Sequence, residues 1–251
     1  MITDPLFFLV AVPAVACLGL SKGGFAGVGM VATPLVALVL PPLQAAALLL
    51  PILILQDAIS IWVYRRDWDG HNLRIMLPGA VAGVCLAWLL AAHVSDAFIR
   101  LAVGFIGIAF VLNAWFGRTP HKGMEPNARS GLFWGGVSGF TSTLSQAGGP
   151  PFQVHVLPQR LPKMTLVGTT TMFFAAVNAM KVVPYLALGQ FSTRNLATSA
   201  VLLPLAVVTN FLGVWVVRQT PTELFYRIAY VLVFIISSAL IWQGFPAILH
   251  H

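Results

Sequence analysis

The sequence has very few charged residues for its length. Only 8% of its 251 residues are charged, whereas 58% are hydrophobic, and the mean hydropathy is +0.88. Soluble domains are roughly 25% charged, and a soluble protein of this size could not bury so much apolar surface. The composition therefore excludes a soluble globular protein and predicts a polytopic integral membrane protein in the inner or plasma membrane.

Cysteine is also scarce, and several catalytic motifs are missing. Cys17 and Cys85 both lie in apolar runs, where buried and inert thiols are the rule. The sequence contains no H-E-x-x-H, no Walker loop, no G-x-G-x-x-G after a strand and no Cys/His cluster. We therefore expect no metal, no cofactor and no enzymatic activity.

Positive charge exceeds negative charge, with 14 Lys and Arg against 7 Asp and Glu. In a soluble protein this balance would suggest nucleic acid as a partner. Here most of the cations lie in loops between apolar segments, as the positive-inside rule predicts. We therefore expect the lipid bilayer, and not nucleic acid, as the partner.

Loops and helix breakers divide the chain into ten apolar segments. These are residues 5–20, 23–40, 43–64, 73–92, 96–116, 131–144, 148–158, 165–188, 195–217 and 223–245. A transmembrane helix needs about 20 residues, which the third to fifth and the eighth to tenth segments provide. The first pair and the pair formed by segments six and seven are shorter, so each is either a returning hairpin or one interrupted span.

Loop charge favours the hairpins. The loops 65–74 and 117–130 each carry three Lys or Arg, and two full spans separate them, so both can face the cytoplasm. A hairpin at residues 131–158 puts Arg160, Lys163 and Arg218 on that same side, whereas a single broken span puts them outside. The positive-inside rule fits the hairpin better, although the interrupted span stays open.

The chain also repeats itself. Residues 98–102 (FIRLA) match residues 225–229 (FYRIA), and each stretch opens the last span of its half. We therefore predict a first membrane repeat at 1–116, a polar cytoplasmic linker at 117–130 and a second repeat at 131–251. With hairpins the repeats are inverted, which is typical of secondary transporters; with interrupted spans they are parallel. The predicted fold is all-α, with a short broken-helix hairpin and three full spans in each half.

Both short pairs contain polar breaks. Residues 19–29 place Lys22 among five glycines, and residues 141–151 form a second, uncharged break with hydroxyl and amide side chains. A lysine inside a membrane is costly and is by default a functional candidate. Glycines beside it would let backbone N–H groups converge on an anion at a helix start. The plainer reading is a loop whose lysine snorkels to the surface.

These residues together resemble the TauE/SafE (TSUP) family of sulfite and organosulfur-anion exporters. The resemblance covers nearly the whole chain and is most specific at residues 19–34, 41–57 and 139–168. It implies an ion-coupled or facilitative carrier of small anions such as sulfite, sulfonates and sulfoacetate. It leaves open the particular anion, the direction of transport and the coupling ion. It also leaves open whether the protein forms a homodimer.

We expect an anion site between the repeats, where the two halves rock in alternating access. Its predicted binding residues come from both breaks: Ser21, Lys22, Gly23, Gly24, Ser145, Gln146, Gly148 and Gly149. Asp57, an intramembrane carboxylate, is a candidate for proton coupling. The structural alternative is an ion pair with Lys22 or Arg65.

Four further residues are candidates for the pocket lining: Gln56, His155, Thr170 and Lys181. Three of them have a plainer role that the sequence favours: a snorkelling Lys181, a hydrogen-bonded core His155 and a helix-packing hydroxyl at Thr170. Two other functions remain. One is a passive anion channel, and the other is an intramembrane serine protease that uses Ser138 of a G-x-S-G string with His155 as base.

Overall fold

The computed structural model describes Ile2, residues 4–23, Gly29 and residues 32–36, 39–40, 42–90, 95–116, 125–187 and 191–249. Throughout these ranges the regular structure is helical. The α-helices are α1 (Pro5–Gly23), α2 (Ala32–Val36), α3 (Pro42–Tyr64), α4 (Gly70–Leu90), α5 (Asp96–Phe116), α6 (Ala128–Ser145), α7 (Gly149–Val156), α8 (Lys163–Ala187), α9 (Thr193–Gln219) and α10 (Thr222–Leu249). The predicted all-α class is confirmed.

Among the described residues, six helices are long and apolar enough to cross a membrane. Their spanning stretches are Pro5–Lys22, Ala47–Tyr64, Gly70–Leu90, Lys163–Ala187, Asn195–Gln219 and Thr222–Phe245. The described apolar part of α5, Arg100–Phe116, is shorter. The chain is therefore a multi-pass membrane protein.

The first of these spans corrects the sequence analysis, which ended the first segment at residue 20. Helix α1 continues through Ser21 and Lys22 to Gly23. The prediction that Gly23 opens the following half-helix is therefore wrong. The helix can keep Lys22 because its charge has a partner within the protein and because a cation in the last turn complements the helix dipole.

Several pairs of helices join the first half to the second, and two of them make the most extensive contacts. Helix α4 packs along α6, and α1 packs along α9. At the α4–α6 contact the backbones touch: a Cβ atom on Gly79 would lie 2.0 Å from the Leu132 carbonyl oxygen, and one on Gly83 would lie 2.1 Å from the Gly136 carbonyl oxygen. Small residues four apart allow this close approach of membrane helices.

Helices α3 and α8 pack against each other in opposite directions. Near the end of α3, Tyr64 lies beside Gly168 of early α8. Nearer the start of α3, Leu50 shares a cluster with Tyr185, which lies late in α8. The third helices of the two halves are therefore antiparallel.

Helices α5 and α10 show the same relation. Ala97, near the start of α5, contacts Gly244 near the end of α10. Further along α5, the ring of Phe110 stacks on Tyr230, with 5.7 Å between the ring centroids. The last helices of the two halves therefore also run antiparallel.

Helix α7 returns alongside α6. The chain reverses at Gln146, which adopts the left-handed conformation with φ 56°. Just after the turn, the Ser138 hydroxyl donates to the Gly148 carbonyl oxygen over 2.7 Å. At the other end, the Ser130 Oγ lies 3.1 Å from His155 Nδ1. The end of α7 thus lies beside the start of α6.

Several basic residues lie at one end of the helix bundle. Asn72 at the start of α4 donates to Gln159 after α7 over 2.8 Å. Lys163 at the start of α8 donates to the carbonyl oxygens of Val217 and Thr220, over 2.7 and 2.5 Å. These contacts bring the α3–α4, α7–α8 and α9–α10 connections together, along with Arg65, Arg66, Arg160, Lys163 and Arg218. This is the arrangement that the hairpin version of the charge argument predicts.

The close α4–α6 contact predicts a position-specific effect of one added methyl group. Gly79→Ala should destabilise the protein by about 1–3 kcal/mol, because the new Cβ overlaps a carbonyl oxygen. Gly136→Ala is the matched control, since its Cβ would lie 3.4 Å from the nearest atom. Unfolding of the two purified variants in detergent measures the difference, and equal stabilities would contradict the contact.

Candidate functional site

The two breaks of the chain meet at one cavity. It has a volume of about 690 Å³, its open mouth included. The end of α1, the α6–α7 turn, α3 and α8 all contribute to its wall. The lining residues are Leu18, Ser21, Lys22, Gly29, Thr33, Leu53, Ser142, Gln146, Gly149, Val167, Thr170, Thr171, Phe174 and Asn178.

Lys22 at the end of α1 forms an ion pair with Asp57 of α3. Both side chains are nearly buried, with 10% and 6% of their surface exposed. Of the alternatives that the sequence left for Asp57, the structure contains the ion pair with Lys22. Because a buried charge is expensive without a partner, each of the two residues holds the other in the membrane interior.

A chain of hydrogen bonds continues from this pair to the second break. Asn178 of α8 donates from Nδ2 to Asp57 Oδ2 over 2.7 Å. Lys181, one turn later, donates to Asn178 Oδ1 over 3.1 Å and to Gln146 Oε1 over 2.9 Å. The network thus links the end of α1 to the α6–α7 turn.

The α6–α7 turn is closely packed. Gly148 precedes α7, and a Cβ there would lie 2.7 Å from the Ser142 Cβ. Helix α7 begins at Gly149 and has proline in its first turn, as the sequence predicted. Because Pro150 and Pro151 have no N–H group, Gly149 is the residue among the first three of α7 that has a backbone N–H donor.

Five residues of the predicted site line the cavity together: Ser21, Lys22, Gln146, Gly149 and Thr170. Lys181 lies directly behind the wall, bonded to two lining residues, and does not snorkel, since none of its surface is exposed. Gly23 ends α1, where backbone N–H groups are already used by the helix. Gly24 and the side chain of Ser145 lie outside the described residues.

Two candidates for the pocket lining lie elsewhere. Gln56 donates to the Ala206 carbonyl oxygen of α9 over 3.2 Å. The ring of His155 bonds to Ser130 and, through Nε2, to Asn72 Oδ1 over 3.1 Å. His155 is thus the hydrogen-bonded core histidine that the sequence analysis favoured.

The structure adds lining residues that the sequence did not single out. Asn178 is the most informative, because it bridges Asp57 and Lys181. In the sequence, the indication that Asn178 belongs to the site was its position one helical turn before Lys181, a lysine within a membrane span. Ser142 belongs to the second break and Thr171 is next to Thr170, but neither was among the predicted binding residues, since hydroxyl residues in membrane helices usually bond to their own backbone.

The serine protease alternative requires His155 to serve Ser138 as a base. Ser138 is fully buried and its hydroxyl donates to the Gly148 carbonyl oxygen. The two nitrogens of His155 lie against Ser130 and Asn72. Ser138 and His155 are therefore hydrogen-bonded to other groups and not to each other, whereas a serine nucleophile needs a hydrogen bond to its base.

The ion pair predicts a strong coupling between its two members. Lys22→Met should destabilise the protein by about 3 kcal/mol, because it leaves the Asp57 carboxylate buried without a cation. Adding Asp57→Asn should recover most of this loss. The free energy of unfolding of the two single variants and the double variant gives the coupling, and additive effects would show that the pair is not formed.

Comparison with known proteins agrees with these features. The model of the family described as sulfite exporter TauE/SafE matches residues 11–240, a range that contains both breaks and every described cavity residue. Comparisons with curated proteins and with solved structures give no significant match. Since the family model covers most of the chain, this multi-pass membrane protein belongs to the sulfite exporter TauE/SafE family, a family of membrane transporters.

Proposed function

We propose that the protein is a secondary transporter that exports small anions, with sulfite or an organosulfonate such as sulfoacetate as substrate. The observation that carries the proposal is the single cavity shared by Lys22 of the first break and Gln146 of the second. Family membership supports the sulfur oxyanion class. The ammonium, hydroxyl and amide groups that line the cavity suit a small anion.

The binding site we propose uses donors from both breaks. Lys22 supplies positive charge, Ser21 supplies a hydroxyl group, and Gly149 supplies a backbone N–H at a helix start. Thr170 of α8 lies in the wall beside them, where its hydroxyl donates to the Leu166 carbonyl oxygen. Charge-assisted hydrogen bonds to an oxyanion are stronger than neutral ones. Gly148, next to Gly149, shapes the turn.

The architecture we propose is a pair of inverted repeats, each with a hairpin that reaches inward from its own side. The antiparallel contacts of α3 with α8 and of α5 with α10 support it. So does the return of α7 along α6. Substrate sites of such transporters lie between the repeats, which alternate between inward and outward access.

We propose Asp57 as the proton-coupling residue. Its carboxylate accepts hydrogen bonds from Lys22 and Asn178, and both donors line the cavity. An anion that attracts Lys22 competes with Asp57 for the same ammonium group. Protonation of Asp57 would then accompany substrate binding.

Adding a negative charge to the cavity wall tests the location of the site. Asn178→Asp should weaken sulfite binding by about tenfold or more, because the new carboxylate repels the anion across a short distance. Asn195→Asp is the control, since it makes the same change at a buried residue that does not line the cavity. Calorimetric titration of the purified proteins measures the affinities, and equal losses in both variants would place the site elsewhere.

Proton coupling is tested by flux in proteoliposomes. Wild-type protein should carry sulfite at a rate that saturates and rises with a proton gradient, whereas Asp57→Asn should saturate without responding to the gradient. A gradient response that survives in Asp57→Asn would remove Asp57 from coupling. Single-channel currents would instead establish a passive anion channel.

A further inference from the structure

The charges around the cavity do not balance. Lys22 and Asp57 neutralise each other in an ion pair. Lys181 lies behind the cavity wall, and none of its surface is exposed. Its ammonium group donates hydrogen bonds to the amide oxygens of Asn178 and Gln146. In the part of the chain that the structure describes, no carboxylate pairs with Lys181. With Lys181 in its ammonium form, the cavity region carries one net positive charge.

An uncompensated cation in the membrane interior is unfavourable. Amide oxygens satisfy the hydrogen bonds of an ammonium group but do not cancel its charge. Burial disfavours the ammonium form of Lys181, and the charges of Lys22 and Asp57 act on it with opposite signs. An anion bound nearby would supply the missing negative charge and favour the ammonium form of Lys181.

The Gln146 side chain shows where that species would bind. Lysine has only donors, so it requires the Oε1 oxygen of Gln146. This fixes the orientation of the amide and leaves the Nε2 donor on its other side. Gln146 Nε2 is buried and has no hydrogen-bond partner among the described residues, and Gln146 lines the cavity.

A buried donor without an acceptor is costly, and native structures rarely leave one unless a ligand or water supplies the acceptor. Gln146 also adopts a left-handed backbone conformation, with φ 56°, which costs about 1–2 kcal/mol for a residue other than glycine. Strain of this kind collects at binding sites. The folded turn therefore keeps the Gln146 amide in this position although both its unpaired donor and its backbone conformation are unfavourable.

We propose that Lys181 is the charge-balancing and positioning residue of the site, so that the cavity takes its substrate as a monoanion whose oxygen accepts a hydrogen bond from Gln146 Nε2. This rests on the proposed function and adds the charge state of the bound species. A sulfonate or hydrogen sulfite carries the required single charge. A dianion would leave one negative charge unbalanced unless a proton enters with it, which Asp57 is placed to accept.

Methanesulfonate and sulfate are suitable probes, because one is a monoanion and the other a dianion throughout the neutral pH range. Wild-type protein should bind methanesulfonate at least tenfold more tightly than sulfate at neutral pH. Tighter binding of sulfate would overturn the proposal. If neither these anions nor sulfite bind, the proposed function itself fails, and the two failures are therefore distinguishable.

Two variants remove the net charge by different routes. Lys181→Met deletes the cation, and Gln146→Glu gives it a permanent carboxylate partner. Each should weaken methanesulfonate binding at least tenfold. Gln146→Glu keeps the test available if Lys181→Met does not yield folded protein. Wild-type affinity in either variant would contradict the assignment.

A double variant separates charge balance from a merely structural role. In Asp57→Asn/Lys181→Met, Lys22 has lost its partner and the cavity again carries one net positive charge. Methanesulfonate affinity should then recover at least threefold relative to Lys181→Met alone. A structural role for Lys181 gives no reason for this recovery, so its absence in a folded double variant would overturn the proposal.

Discussion

The ion pair between Lys22 and Asp57 is the contact on which the site depends. It joins the end of α1 to the middle of α3 in a region where an isolated charge would be very costly. Because Lys22 is neutralised inside the protein, α1 can continue as a helix to the cavity instead of breaking earlier. Asn178 then extends the network from Asp57 towards Lys181 and Gln146, so the two breaks of the chain are linked through α3 and α8.

The two halves contribute to this network in different ways. In the first half the break carries the cation and α3 carries the carboxylate. In the second half the break carries the neutral Gln146 and α8 carries Lys181. The backbone contacts of the halves correspond to each other, but their charges do not. We infer that this asymmetry gives the cavity its single positive charge when Lys181 is protonated.

Much of the fold could be predicted from the sequence, because apolar segments of sufficient length and loops rich in basic residues follow directly from the properties of the bilayer. The end of α1 was mispredicted because Lys22 and Gly23 look like helix breakers when the partner Asp57, distant in sequence, is unknown. The role of Lys181 was mispredicted for the same reason. Its position in the sequence favoured snorkelling, whereas its amide partners Asn178 and Gln146 come together only in the folded chain. Lining hydroxyls such as Thr171 could not be told from packing hydroxyls, since both types occur at the same helical spacing.

The central claim is that a small oxyanion binds in the cavity between the two breaks. Selenite has the shape and charge of sulfite and scatters X-rays anomalously, so its position can be located directly in crystals of the protein. We predict one anomalous peak between Lys22 and Gln146, within hydrogen-bond distance of Gln146 Nε2. A peak at another place, or an empty cavity in protein that transports selenite, would contradict the account.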